Sequence, residues 1–221
     1  MTARGQARAV TRQQGESIPV GAGLAVDTAN AAPEAMRRFR CLNPFTFASG
    51  WRIPVPGADA FAHSVEGIWQ GLKLVDGQTD LAMLHSPARK RPPEHERVNG
   101  YDYAGSVFSF GSRTIGLVAA RYLIYLPAYL HLLDRLAPES VIREIAGRLQ
   151  HGHDVHFYDW DANFDIEDDH SSFSHSAVLA AWFGGHLDSL LVRRDRWLTE
   201  NDATAQSAPL ALTRYHGLHA R

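Results

Sequence analysis

Three side chains with acid, amide and amine chemistry are spaced along residues 64–73 of the chain. An α-helix would place Glu66, Gln70 and Lys73 within roughly 60° of one another, on one side. An apolar stripe on the neighbouring side would anchor that helix to a core: Val65, Ile68, Trp69 and Leu72. The polar row would then border the buried face, where the wall of a cleft would lie. The same spacing is also typical of an ordinary solvated row with a helical Glu/Lys pair.

The densest group of carboxylates lies between residues 159 and 169. Its first, third, fifth and seventh positions match a calcium loop: Asp159, Asp161, Asn163 and Asp165. Phe164 and His170, however, occupy the sixth and twelfth positions, where such a loop needs Gly and Glu. We therefore predict no calcium site, and expect one or two carboxylates to contact a polar ligand directly. Magnesium held together with a phosphate-bearing ligand, and a solvated capping loop, are the alternatives.

Ser174 and His175 follow the acidic segment at a predicted helix start, where a side chain can point toward a ligand. His151, His153 and His156 straddle a glycine turn and a strand start without an HExxH pattern, so we interpret them as surface histidines. The sequence contains no G-x-S-x-G nucleophile elbow and no glycine-rich phosphate loop. The helical polar row facing the acidic segment is therefore the best pair of polar clusters.

Local signals indicate the elements that must position these residues. The helix of the polar row should begin after its N-cap Ser64, run to about Val75 and stop at Asp76-Gly77. Residues 43–56, dense in aromatics, Pro and Gly, should form an irregular packed loop. Residues 86–105 should form a basic, mobile loop that could close over a phosphate or simply be a solvated connection.

The remaining signals predict a mixed fold. The expected elements are a strand from Gly23 to Val26, a long apolar helical stretch from Arg113 to Leu136 interrupted at Pro127, a helix from Pro138 to about Leu149, a strand from Val155 to Tyr158, a helix from Ser174 to Gly184-Gly185 and a helix from about Leu187 to Leu198. We expect a single compact α+β domain over residues 17–200, mostly helical with a few short strands. A flexible N-terminal arm, residues 1–16, and a loose C-terminal tail, residues 201–221, should flank it.

Size and composition exclude several classes of function. The 221 residues, 45% of them hydrophobic, suffice for one sizeable core. A net charge of −2 offers no basic field, so a nucleic-acid polymer is not an expected partner, whereas a nucleotide-sized anion is. The single cysteine, Cys41, rules out an intramolecular disulfide and a multi-cysteine zinc site. No apolar run reaches membrane-spanning length and no secretory signal is present, so we expect a cytoplasmic protein without a membrane partner.

Ser64-Val65-Glu66, followed by Gln70 and Lys73, resembles the S/T-V-E-x-x-x-Q-x-x-K helix of the NADAR (YbiA-like) superfamily. The preceding Asn43-Pro-Phe45 is similar to the aromatic segment upstream of that helix. A wider frame is similar to an uncharacterised bacterial family that we interpret as a branch of the superfamily: residues 53–56, 64–73, 121–127 and 174–175. The superfamily's C-terminal Asp-x-x-Trp-Gly element is absent, with Asp159-Trp160 or Asp165 as its expected substitute.

The resemblance implies an N-glycosidase that breaks a ribose-to-base or ribose-to-amine bond, in riboflavin-pathway pyrimidine ribosides or in ADP-ribose attached to guanine. Glu66 would be the carboxylate that stabilises the oxocarbenium-like sugar and activates water. Lys73 would pair with a phosphate or attack C1 of a ring-opened sugar as an amine nucleophile. Asp159 or Asp165 would hold sugar hydroxyls or assist the leaving group.

Further side chains complete the implied site. Gln70 would bond ribose hydroxyls, while Trp51 and Trp69 would stack on a base or pack in the core. The other substrate-binding candidates are Phe45, Arg113, Asn163, Asp165, Ser174 and His175. We expect a small-molecule nucleotide or sugar-phosphate substrate with no metal or other cofactor, and leave a homodimer open. Two further classes stay open: a non-catalytic module that binds ADP-ribose or a related nucleotide, and a lyase or isomerase that uses Lys73 as an imine-forming amine.

Overall fold

The computed structural model describes residues 3–19, 21–92, 102–207 and 209–220. Seven short strands lie in these ranges: β1 Ala7–Ala9, β2 Leu24–Asp27, β3 Ile53–Pro54, β4 Phe61–Ala62, β5 Val107–Phe110, β6 Arg113–Gly116 and β7 Val155–Tyr158. Eight α-helices lie in the same ranges: α1 Arg12–Glu16, α2 Val65–Leu72, α3 Leu117–Ala120, α4 Leu126–His131, α5 Glu139–Gln150, α6 His175–Gly184, α7 Leu187–Glu200 and α8 Thr213–His219. The predicted α+β class, with more helix than strand, is confirmed.

Tighter and wider helical turns supplement these elements. The 3-10 helices are Glu34–Leu42, Leu81–His85 and Thr204–Gln206, and the π-helical turns are Arg121–Tyr125 and Leu132–Leu136. No helix in the described ranges is both long and apolar enough to cross a lipid bilayer. The predicted basic loop, residues 86–105, includes residues 93–101, which lie outside the described residues.

A three-stranded parallel sheet fixes one side of the site. β7 lies between β1 and β2 and pairs with both in the same direction, with Tyr158 opposite Asp27 at the carboxyl end. Because the carboxyl ends of parallel strands meet at one edge, the residues that follow, Thr28 and Asp159, emerge side by side. This edge is where open α/β sheets place their ligands.

The prediction of a flexible N-terminal arm is wrong for residues 7–16. β1 extends the sheet through its pairing with β7, and Thr11 and Gln14 form a reciprocal capping box at the start of α1. The strand, Ala-Arg-Ala, is only three residues long and lies at the sheet edge, so it is too short to give a recognisable alternating pattern.

The prediction of a loose C-terminal tail is wrong for residues 213–219, which form helix α8. α8 packs Tyr215 against Trp182 of α6, with ring centroids 5.1 Å apart. The buried carboxylate of Asp134 accepts the backbone N–H groups of Arg214, at 2.7 Å, and of Tyr215, at 3.2 Å. This contact satisfies two donors of the first helical turn, which have no partner within a helix.

The central helix, residues 117–136, runs through the core and combines α3, α4 and the two π-helical turns. Its interruption was predicted at Pro127, and a π-helical turn lies just before that residue. Proline cannot donate the regular helical hydrogen bond, and a widened turn accommodates its ring. The start of the predicted stretch is wrong: Arg113 lies in β6, which forms a hairpin with β5.

Helix α2 has the predicted start but a different end. Ser64 caps it, accepting the backbone N–H of Gly67 at 3.0 Å. The chain leaves the helix at Lys73, whose backbone is extended and pairs with Phe108 of β5. Asp76-Gly77, the predicted stop, instead forms a tight turn with φ of 52° and 77°. The early end turns the Lys73 backbone toward β5.

Candidate functional site

A cavity of about 310 Å³ opens between helix α2 and the carboxyl ends of β2 and β7. It brings together many of the residues singled out in the sequence: Phe45, Glu66, Trp69, Gln70, Lys73, Asp159 and His175. The helical polar row and the acidic segment therefore face one space. Its volume lies at the small end of the range typical of small-molecule sites, about 300–1,000 Å³.

The polar row of α2 forms one wall of the cavity, and two of its side chains, Glu66 and Gln70, are hydrogen-bonded to each other. Gln70 Nε2 donates to Glu66 Oε1 at 2.8 Å, while Gln70 Oε1 accepts the backbone N–H of Arg91 at 3.1 Å. The Arg91 guanidinium also donates to the backbone carbonyls of Gln70, at 2.9 Å, and of Lys73, at 3.1 Å. Arg91 thus satisfies carbonyls at the carboxyl end of α2 and fixes the amide that orients Glu66.

Glu66 is a nearly buried acid, with 6% of its surface exposed. Burial raises the pKa of Glu66 to about 7, against the opposing influence of the Gln70 hydrogen bond and the Lys90 charge. The Asp161 carboxylate adds to the rise. At neutral pH this group can therefore both accept and release a proton, which is the property that a general acid or base needs.

Asp159, on the opposite wall, is a fully engaged carboxylate. Its Oδ2 accepts from Ser174 Oγ at 2.7 Å, Ser176 Oγ at 3.0 Å and His175 Nδ1 at 2.9 Å. Its Oδ1 accepts the backbone N–H of Asp161 at 2.6 Å. Burial alone would raise its pKa, but attraction to His175 and these hydrogen bonds together hold the pKa of Asp159 well below its ordinary value. Asp159 is therefore a permanent charge that orients its neighbours.

A chain of hydrogen bonds joins the Asp159 wall to the α2 wall. His175 Nε2 lies 2.5 Å from Thr28 Oγ1, and the Thr28 carbonyl accepts from Asn43 Nδ2 at 2.7 Å. Asn43 Oδ1 in turn accepts the backbone N–H of Phe45 at 2.7 Å. The carbonyl of the intervening Pro44 accepts the backbone N–H of Glu66 at 2.9 Å. The two walls are thus held at a fixed spacing.

The segment that carries the cavity coincides with a protein family. Residues 18–179 match DUF6939, described as a family of unknown function. The chain belongs to the DUF6939 family. No curated protein and no solved structure matches it. Every residue that lines the cavity falls inside the DUF6939 segment, whereas β1, α7 and α8 lie outside it.

Three charged residues that line the cavity of this DUF6939 member were not among the predicted site residues: Lys90, Arg121 and Asp161. Ser172 Oγ donates to Asp161 Oδ1. Burial raises the pKa of Asp161, the Asp159 charge adds to the rise, and the Ser172 hydrogen bond and the Lys90 charge oppose it. The acidic segment and the basic loop were both recognised as candidates, but only the fold distinguishes their inward-facing members.

Arg121 holds the end of the acidic segment, which lies within the DUF6939 match, through hydrogen bonds to its backbone. It is 2% exposed, and its guanidinium donates to the carbonyls of Ile166 at 3.1 Å, Asp168 at 2.6 Å and Ser171 at 2.6 Å. The loop therefore wraps around a cation with its carbonyls turned inward. In the sequence, the signal for this role was the presence of an arginine within a stretch whose other residues predict an apolar helix.

Five predicted ligand-binding residues do not line the cavity: Trp51, Arg113, Asn163, Asp165 and Ser174. Asn163 Nδ2 donates to the Asp168 carbonyl at 2.8 Å, and Asp165 pairs with Arg193 at 2.6 Å. Both residues therefore stabilise the conformation of the acidic segment and do not face the cavity. Ser174 acts through its hydrogen bond to Asp159.

The structure does not place Trp51 and Arg113 at the cavity, so neither can have the predicted contact with a ligand there. Trp51 packs against the hydrophobic core, and its carbonyl accepts from His63 Nδ1 at 2.8 Å. Arg113 is exposed on β6, beside a separate surface depression. The hairpin of β5 and β6, absent from the sequence prediction, carries Arg113 away from the cavity of this DUF6939 member.

Proposed function

We propose that this DUF6939 chain is a YbiA-like N-glycosidase that hydrolyses an N-glycosidic bond in a nucleotide-like or ADP-ribose-type small molecule. The observation that carries the proposal is the buried Glu66 carboxyl, with a pKa of about 7, in a cavity that also holds lysines and aromatic rings. The motif resemblance of residues 64–73 supports it independently.

Glu66 has the properties that this reaction requires of a carboxylate. As the C1–N bond breaks, its electron pair leaves with nitrogen and positive charge develops on C1 and the ring oxygen. The Glu66 carboxylate would stabilise that charge and accept a proton from the attacking water, whose oxygen bonds to C1. The leaving nitrogen takes up a proton from bulk water, and Glu66 then releases the proton that it accepted. The products are a free base or amine and a sugar with a C1 hydroxyl.

The other cavity walls match the parts of a nucleotide. Phe45, Trp69 and Phe173 offer aromatic surface for a base, while Lys73 and Lys90 offer positive charge for a phosphate. The volume of about 310 Å³ fits one ribosyl unit with its base or phosphate, so a larger ADP-ribose-type ligand would extend beyond the mouth.

A product assay tests the proposal directly. The protein would be incubated with pyrimidine ribosides of the riboflavin pathway and with ADP-ribosylated guanine nucleosides, and chromatography would follow released base or amine and free sugar. Hydrolysis of at least one compound is expected. Thermal stabilisation by a compound that yields no product would favour a non-catalytic binding module instead.

Lys73→Ala is expected to lower turnover at least about tenfold while the protein stays folded, because the variant loses the ammonium group on the α2 wall. Lys73→Arg is the matched control. An arginine keeps the charge for a phosphate but cannot form a carbon–nitrogen bond to C1 at neutral pH, so it separates the two proposed roles. Steady-state rates and circular dichroism on the three proteins give the comparison.

The two roles of Lys73 predict different results. Phosphate pairing predicts that Lys73→Arg retains most of the activity, whereas attack on C1 predicts that it is as inactive as Lys73→Ala. In the second case borohydride added during turnover should trap a sugar adduct on Lys73, detectable by mass spectrometry. A folded Lys73→Ala protein with an unchanged kcat/KM would remove this residue from the mechanism.

A further inference from the structure

Tyr125 brings a phenol group to the cavity from the π-helical turn Arg121–Tyr125. Its side chain is 7% exposed and three aromatic neighbours fix its ring. The ring stacks on Tyr129 with centroids 5.8 Å apart, and meets Trp69 and Phe173 edge-on at 5.7 Å and 6.3 Å. Because these neighbours prevent the ring from turning, the position of the hydroxyl is fixed as well.

The Tyr125 hydroxyl makes no hydrogen bond with any residue in the described part of the chain. Two other tyrosines of the central helix differ in this respect. Tyr122 Oη donates to Glu167 Oε1 at 2.6 Å, and Tyr129 Oη donates to the Leu42 carbonyl at 2.6 Å. Buried phenol groups normally have such a partner. The Tyr125 hydroxyl is therefore a donor available to a ligand in the cavity.

The charges around Tyr125 define the ligand group that it fits. Burial raises the pKa of Tyr125 well above its ordinary value, and the carboxylates of Glu66, Asp159 and Asp161 raise it further. The phenol thus remains a neutral donor with carboxylate acceptors near it. An alcohol group suits this pair of partners, because its oxygen can accept from the phenol while its hydrogen is donated to a carboxylate. A phosphate does not, because the carboxylates would repel its negative charge.

We infer that Tyr125 is a substrate-contacting residue that binds a hydroxyl group of the sugar, while Glu66 or Asp161 accepts a hydrogen bond from that same hydroxyl. The inference rests on the proposed function in one respect, that the ligand is a ribosyl compound. It adds a determinant of specificity. A ligand without the contacted hydroxyl would leave the phenol and the carboxylate unpaired and would bind more weakly.

A matched pair of variants tests whether the Tyr125 hydroxyl is free for a ligand. Tyr125→Phe should leave the thermal midpoint of the ligand-free protein within about 1 °C, because no protein hydrogen bond is lost. Tyr129→Phe should lower it by roughly 3–8 °C, because the buried Leu42 carbonyl loses its partner. An equal loss in the two variants would mean that the Tyr125 hydroxyl has a structural partner, and would overturn the inference without any ligand being used.

Binding of simple sugars tests the specificity. The probes are ribose 5-phosphate and its 2-deoxy and 3-deoxy forms, with dissociation constants measured by calorimetry. The wild-type protein should bind at least one deoxy form about tenfold or more weakly than ribose 5-phosphate. Tyr125→Phe should reduce that preference to about threefold or less, whereas Tyr129→Phe should retain it.

The outcomes separate this inference from the proposed function. Equal affinity of the wild-type protein for all three sugars, no affinity for any, or an unchanged preference in Tyr125→Phe would each overturn the role of Tyr125. The N-glycosidase proposal would then still be decided by the product assay. Conversely, a Tyr125-dependent preference in a protein that hydrolyses no riboside would support the sugar contact and reject the glycosidase.

Discussion

Replacing Glu66 with glutamine is expected to lower turnover at least about tenfold in a protein that remains folded. The amide has the size of the acid, and its oxygen can still accept the hydrogen bond that Gln70 donates at 2.8 Å. It carries no negative charge for the sugar cation and cannot take a proton from water. Steady-state rates on a riboside that the wild-type protein cleaves, together with circular dichroism, measure the effect.

Asp165→Asn is the control for that experiment. It also removes one carboxylate, but from a residue that pairs with Arg193 outside the cavity, so turnover should stay within about twofold of the wild-type rate. A folded Glu66→Gln protein that works at the wild-type rate would exclude Glu66 as the reacting carboxylate. An equal loss in both variants would point to a general effect of charge.

The pH dependence of activity gives a second test of the role of Glu66. Because the ionised form stabilises the cation and accepts the proton, kcat/KM should rise as the pH increases through about 7, the pKa of this carboxyl in the ligand-free protein. The Glu66→Gln variant should lack this rise in its residual activity. A wild-type profile that falls through the same pH would mean that the protonated acid is the active form.

Glu66 should also make folding stability depend on pH. Its folded pKa of about 7 exceeds the ordinary value of 4.5, so the folded state binds the proton more tightly than the unfolded state. Stability from this group is fully present below pH 4.5 and is lost as the pH rises through 7. The loss amounts to about 3 kcal/mol. Glu66→Gln should therefore gain stability over the wild-type protein between pH 4.5 and 8, as measured by urea unfolding.

Local signals were sufficient to predict helix α2 but not its end. Its start depends on Ser64 and an apolar stripe, which lie within one segment of sequence. Its end depends on the pairing of Lys73 with Phe108, which is distant in the chain. Strand β1 was missed for the same reason, since three residues at a sheet edge are defined by their partner β7 and not by their own composition.

The candidate site was predictable as two segments but not residue by residue. Both the polar row of α2 and the acidic segment line the cavity, as expected from their chemistry. Within the acidic segment, Ser174, His175 and Ser176 of the following helix surround Asp159, while Asp161 keeps fewer partners. That division of roles follows from the packing of α6 against the sheet, which no local spacing reveals. Tyr125 was read as part of an apolar core helix because its unpaired hydroxyl is visible only in three dimensions.

Asp159→Asn is expected to lower the free energy of unfolding at pH 7 by about 3 kcal/mol or more. The carboxylate accepts three hydrogen bonds on Oδ2 and one on Oδ1. An amide has a single acceptor oxygen, so in either orientation its NH₂ group faces a donor: the backbone N–H of Asp161 on one side, or Ser174, Ser176 and His175 on the other. In the first orientation the contact is repulsive, because a backbone N–H cannot accept a hydrogen bond. In the second the hydroxyls can rotate to accept, but the charge-assisted hydrogen bonds to Oδ2 are lost.

Urea unfolding of matched variants isolates this effect. Ser176→Ala removes one of the donors and leaves the charge in place, so it should lose only about 1–2 kcal/mol. Asp165→Asn, whose partner Arg193 is partly exposed, should lose less than about 1 kcal/mol. A loss in Asp159→Asn no larger than in Asp165→Asn would mean that the Asp159 network does not hold the cavity walls.

The pH dependence of the same comparison tests the charge of Asp159. Its folded pKa is held below the ordinary value of 3.8, so its contribution to stability is present above that pH and is lost as the pH falls through the folded pKa. The difference in free energy of unfolding between the wild-type protein and Asp159→Asn should therefore be constant from pH 5 to 7, within about 0.5 kcal/mol, and narrow below about pH 4.

Glu66 contributes to stability with the opposite dependence on pH. Burial disfavours the charge of Glu66 and raises its pKa, whereas hydrogen bonds stabilise the charge of Asp159 and lower its pKa. The two carboxyl groups that face each other across the cavity thus differ in role because of their partners: Asp159 remains ionised and positions His175, while Glu66 can exchange a proton at neutral pH.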